Sequence, residues 1–113
     1  MDKLTRYREL IKRHLLHIAE LVNRKPGNGV ETACAFDEDR DHYLLLRTGW
    51  QDDRRVRGAT LYVRLRDNKI WIEEDWTEDG IARALVQEGV PKEDIVLAFY
   101  SPETRRHSEY AVA

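Results

Sequence analysis

With 113 residues, 42% of them hydrophobic and 35% charged, the chain has material for a single domain with one core, residues 1–113, and little that reads as low-complexity loop. A formal net charge of −2 excludes the strongly basic surface of a dedicated DNA binder, and no apolar run approaches the ~20 residues of a membrane span. The one cysteine, Cys34, rules out an intrachain disulfide, and Asp2 and Lys3 follow Met1 in place of an apolar signal core, so a reducing cytoplasmic setting is expected.

Leu4, Tyr7, Ile11, Leu15, Ile18 and Val22 recur at spacings of three and four, which predicts an amphipathic helix over residues 3–23. Leu10 and Leu21 widen the apolar face, Leu16 falls outside it, and the breakers between Asn23 and Gly29 end the helix. Residues 30–37 alternate loosely as a first strand, and Cys34, among Ala33, Ala35 and Phe36, reads as a structural thiol. Residues 37–41 form a polar turn. The run Leu44-Leu45-Leu46 within residues 42–51 predicts a central strand buried on both faces, and Trp50 is assigned to the core with it.

After a turn at residues 51–54, Ala59, Leu61, Val63 and Leu65 alternate with Thr60, Tyr62, Arg64 and Arg66. Asp67-Asn68 suits a two-residue hairpin turn, because both side chains tolerate positive φ. That turn sets Leu65 opposite Ile70, Val63 opposite Ile72, Arg64 opposite Trp71 and Tyr62 opposite Glu73. Thr77 is the expected N-cap of a second helix near residues 78–88 packed on the sheet, with Glu78 and Asp79 at its positive end. Gly89, Val90 and Pro91 are expected to close it, and a last strand is expected within residues 95–100 before an Arg-containing tail. The fold class is therefore α+β: an N-terminal helix, an antiparallel meander of four to five strands, and a second helix.

No catalytic constellation emerges from these elements. His14 and His17 have a spacing compatible with two metal ligands but lack converging partners, so no metal or cofactor is expected. Glu73, Glu74 and Asp75 cannot all converge along one strand, and the Asp67-Asn68-Lys69 half of a nuclease pattern lies on a turn, with Asp53 upstream on another. A metal-dependent nuclease ranks last among the functions considered, and the chain is read as non-enzymatic.

What remains is surface. Residues 1–26 carry seven Lys/Arg against three Asp/Glu, Glu73 to Asp79 holds five acids, and Arg54 to Arg66 holds five arginines and no acid. Tyr62, Arg64, Trp71 and Trp76 are candidate interface residues, with Arg64 expected to stack on Trp71, together with Pro102, Arg105 and Arg106 in the tail. Arg54, Arg55, Arg57 and Arg66 are candidate nucleic-acid contacts, whose binding would be weak and strongly salt-dependent. An open sheet edge also makes a homo-oligomer reasonable.

Several blocks resemble the XisI family in order along the whole chain. They are the opening residues 1–11, Asp41-His-Tyr-Leu-Leu-Leu46 with Gly49-Trp50, Lys69-Ile-Trp-Ile72, Thr77-Glu-Asp-Gly-Ile-Ala82, residues 89–97 and Tyr110-Ala-Val-Ala113. The resemblance implies a cyanobacterial regulatory protein, an fdxN-element excision controlling factor for a programmed DNA rearrangement in which a separate recombinase cuts and rejoins DNA. It implies an α+β fold, no established catalytic residues, and a XisH-like protein as partner, with direct DNA contact weak or indirect. Relatives often carry a small residue at the position of Trp76 and Gly at that of Asn68.

Overall fold

The computed structural model describes residues 2–25 and 29–113; residues 26–28 of the predicted breaker segment lie outside the described residues. The chain runs α1 (Lys3–Asn23), β1 (Val30–Asp37), β2 (His42–Gln51), β3 (Arg54–Arg66), β4 (Lys69–Asp75), α2 (Ile81–Gln87), a 3-10 turn at Lys92–Asp94, β5 (Ile95–Leu97) and α3 (Pro102–Arg105). The five strands form one sheet in sequence order. β1 to β4 make an antiparallel meander, while β5, reached through α2, pairs parallel with β4. The architecture is α+β, with three α-helices among the described residues in place of the two expected.

α1 begins at Asp2, whose carboxylate accepts from Thr5 N at 2.9 Å and caps the helix. Its inner face buries Tyr7, Leu10, Ile11 and Leu15 against Tyr43, Leu45, Leu61, Val63 and Ile72. The burial ends a turn early: Ala19, outside the expected stripe, is the last buried residue of α1, and Leu21 and Val22 are exposed. The helix end is still tied to β1, Asn23 Nδ2 donating to Thr32 O at 2.7 Å and its Oδ1 accepting from Thr32 N at 3.1 Å. Leu16 is exposed, as its position off the stripe implies. Polar clamps fix the helix nearer its start: Arg8 pairs with Asp41 at 2.7 Å, and the Tyr7 hydroxyl donates to Asp94. Asp41 also accepts from the Tyr43 hydroxyl, and the Arg8 contact above all holds its carboxyl below the ordinary range.

The Asp67-Asn68 turn has φ of 53° and 63°, the left-handed pair a tight hairpin requires. Leu65 pairs with Ile70, Arg64 with Trp71 and Val63 with Ile72, as the turn dictates. Beyond that point a bulge at Glu73 shifts the register, so Tyr62 faces Glu74 rather than Glu73, and Leu61 faces Asp75. The bulge turns Asp75 toward α2, where its carboxylate accepts from Ile81 N at 2.7 Å and from Thr77 N at 2.9 Å. Asp75, not Thr77, therefore supplies the cap, and α2 starts at Ile81 behind Gly80, whose φ is 79°. At the other end Gly89 N bonds Val86 O and Val90 N bonds Leu85 O, closing the helix with Gly89 in the left-handed region and Val90 buried.

The predicted double burial of β2 is half realised. Tyr43 and Leu45 are buried under α1, but Leu44 and Leu46 are only half-buried. Among the described residues, no helix covers their face. Trp50 is 54% exposed, contrary to its assignment to the core, because the β2–β3 hairpin extends beyond the helices.

Candidate functional site

Three surfaces arise from this architecture. The first is the sheet face opposite α1. Strand alternation and register bring Ala33 beside Leu46, Ala35 beside Leu44, and Leu44 beside Tyr62 on this face. The alanines are exposed and the larger side chains half-buried, so a shallow apolar patch lies open. Tyr62 Oη sits 2.8 Å from His42 Nδ1, and Arg64 Nε donates to Glu73 at 2.9 Å. The expected stacking of Arg64 on Trp71 does not form, because Glu73, brought alongside by the bulge, takes the guanidinium. Arg66 and Arg105 lie over the Trp71 ring instead, at 5.1 and 5.7 Å.

Trp71 itself is only 8% exposed, and its indole Nε1 donates to Arg66 O at 3.0 Å. The second surface is the C-terminal segment beside it. Val96 of β5 bridges to Ala111 in parallel, and Pro102 opens α3 behind the Ser101 cap. Arg105 turns inward, donating to Tyr100 O at 2.9 Å, Val112 O at 3.1 Å, and Leu97 O and Ala98 O at 3.3 Å. It closes the segment as an internal clasp. Arg106 is exposed, and no ion pair of the described residues uses it. Phe99 and Tyr100 add exposed rings in mutual contact.

The third surface is the projecting end of the β2–β3 hairpin. Arg54, Arg55 and Arg57 lie on it, and Arg55 stacks on Trp50 at 5.5 Å. Arg66 is not part of it. Twelve residues along β3 place it ~40 Å away, at the opposite end of the strand. There it pairs with Asp67 at 3.6 Å. The four candidate nucleic-acid contacts thus divide into three and one. Trp76, 78% exposed, stands past the end of β4, its backbone N bonded to Thr60 O at 2.9 Å and its indole Nε1 donating at 2.8 Å to Glu74, the cross-strand partner of Tyr62. It lines a groove of about 550 Å³ on the helix side, with Ile18 and Val22 of α1 and Leu45, Arg47 and Val56 of the sheet.

Sequence reasoning passed over Ala33 and Ala35. Small residues alternating along β1 signal a sheet face with nothing packed on it. It also missed the groove, which depends on where α1 runs out.

Among the described residues, the α1 histidines, Cys34 and Asp75 lie on separate elements. Burial lowers the pKa of His14, whose Nε2 lacks a hydrogen-bond partner among the described residues, and His17 is exposed. Burial raises the Cys34 thiol. Asp75 is committed to capping, and no group of three or more His, Cys, Asp or Glu positioned for a metal occurs among the described residues.

The family model for XisI protein matches residues 1–112. The chain belongs to the XisI family. A crystal structure of a XisI-like protein from Anabaena variabilis superposes with a TM-score of 0.89 at 34% identity, covering 97% of this chain and 99% of that one. The crystal structure of the fdxN element excision controlling factor XisI from the same organism gives 0.86 at 39% identity, covering 99% and 100%. No curated protein matches. The fold is thus shared nearly end to end with both. No helix among the described residues is long and apolar enough to cross a membrane.

Proposed function

We propose that this XisI-family chain is a non-catalytic, cytoplasmic accessory factor that regulates excision of a DNA element by binding a XisH-like protein. Two things support the regulatory part: family membership, and the likeness to a protein described as an excision controlling factor. The partner-binding part rests on one observation, the uncovered sheet face of Ala33, Ala35, Leu44, Leu46 and Tyr62. An apolar sheet face of this kind is stable in water only while small, and association with a second protein removes it from solvent. Arg64 and His42 at its border supply polar groups of the kind found at interface rims.

The test is co-expression with the XisH-like protein of the same genome, followed by gel filtration. The expected result is one peak containing both chains, lost when Ala35→Arg places a long charged side chain in the patch. Separate elution of the two unaltered proteins at micromolar concentration refutes the proposal.

A further inference from the structure

β3 is longer than the strand beside it. Its residues 61–66 pair with β4, whereas residues 54–59 pair only with β2. The last contact on the outer side is Trp76 N to Thr60 O at 2.9 Å, after which the chain turns away toward α2. Among the described residues, no backbone hydrogen bond is made along the outer side of residues 54–59. This is an open strand edge with its donors and acceptors available for another strand.

The two sides of that edge differ. Val56 pairs with Gly49, which alternation sets on the same face as Leu45 and Arg47. That face opens into the groove walled by Ile18, Val22 and Trp76. Arg55 and Arg57 pair with Trp50 and Thr48 and so belong to the opposite face, although Arg57, at the strand edge, also lines the groove. Among the described residues, Arg47, Arg54, Arg55 and Arg57 make no ion pair, although ten other ion pairs hold cations elsewhere in the chain.

We infer that the 54–59 edge of β3 accepts an extended segment of another protein in which apolar and acidic residues alternate. The apolar side chains of the added strand enter the groove beside Val22, Val56 and Trp76. Its carboxylates lie across from Arg55 and Arg57, where opposite charges on adjacent strands attract. A second copy of this chain is a poor occupant, since two-fold pairing of the edges brings arginine against arginine. Nucleic acid uses the arginines but neither the backbone edge nor the apolar groove. This proposal goes beyond the XisH reading and uses a different surface, so the two fail independently.

The probe is a fluorescein-labelled synthetic peptide of alternating valine and glutamate, titrated with the whole protein and followed by anisotropy. Saturable binding is expected, weakened about tenfold or more by Arg55→Glu/Arg57→Glu, a change confined to exposed side chains. A peptide of the same sequence, N-methylated at alternate residues, keeps the side chains and loses the strand hydrogen bonds, and should not bind. Equal binding of the N-methylated peptide, no saturable binding of the parent, or complete displacement by duplex DNA would each overturn the assignment, the last in favour of a nucleic-acid surface.

Discussion

Arg105→Ala should unfold the C-terminal segment and lower the stability of the whole chain. The guanidinium donates to four backbone carbonyls, two of them at 2.9 and 3.1 Å, and lies 5.7 Å from the Trp71 ring. Hydrogen bonds from a charged donor contribute roughly 1.5–3 kcal/mol each and a stacked cation up to about 1. The two longer contacts add little, and exposed carbonyls regain water when the arginine is lost, which leaves a net cost of about 3 kcal/mol. In a domain of this size that corresponds to a melting-point drop of roughly 12 °C. The loss is global because Val96, bridged to Ala111, lies in β5 beside core residue Ile95. Urea denaturation followed by tryptophan fluorescence is the assay, since release of the segment exposes the buried Trp71. Arg105→Lys, with one compact ammonium in place of a planar fork, should recover less than half of the loss. Arg106→Ala, on an exposed side chain next in sequence, should change stability by no more than about 0.5 kcal/mol. If Arg105→Ala melts with the unaltered protein but loses a partner, the clasp argument is wrong and the residue belongs to an interface.

Asp75→Ala removes the acceptor for Ile81 N and Thr77 N, and should cost about 2 kcal/mol in urea titrations. Gly49→Ala places a Cβ 2.0 Å from Gly29 O at a φ of 152°; the hairpin must part from β1, and a loss of about 3 kcal/mol is expected by thermal melt. Burial lowers the pKa of His14, outweighing the attraction of Glu88, so the unfolded chain takes up the proton more readily. Stability should therefore fall as pH drops through the ordinary histidine value of about 6.5. His14→Leu, which also removes the partnerless Nε2, should flatten that slope and raise stability by about 1 kcal/mol; an unchanged slope between melts above and below that pH counts against it.

Much of the fold was legible in the sequence because its signals are local. Asp67-Asn68 fixes three cross-strand pairs, since a two-residue turn leaves no freedom in register near the hairpin end. Gly89-Val90-Pro91 likewise specifies how α2 stops. The bulge at Glu73 leaves no such trace: an extra residue in a strand has no characteristic side chain, yet it reverses which acid faces α2. Thr77 consequently looked like the cap, and Asp75 is. Trp50 was misassigned for a related reason. The Leu44–Leu46 run describes β2 where α1 covers one of its faces, and where that helix ends relative to the hairpin is a property of packing, not of β2.

The candidate site was legible in kind but not in grouping. Arg105 and Arg106 are adjacent and identical in type, yet one faces inward and the other outward. The difference arises in the segment's backbone: residues 97–112 have few strand partners, so carbonyls at Leu97, Ala98, Tyr100 and Val112 need a donor, and a guanidinium with five N–H groups can serve all four. Arginine stripes elsewhere divide by the same logic. Arg64 is taken by Glu73 and Arg66 by Asp67 and Trp71, because both lie where β4 runs alongside. Arg54, Arg55 and Arg57 lie beyond the end of β4, where no neighbouring strand offers a carboxylate. The length of β4, seven residues against thirteen in β3, therefore decides which arginines of β3 find a carboxylate within the fold and which, among the described residues, do not.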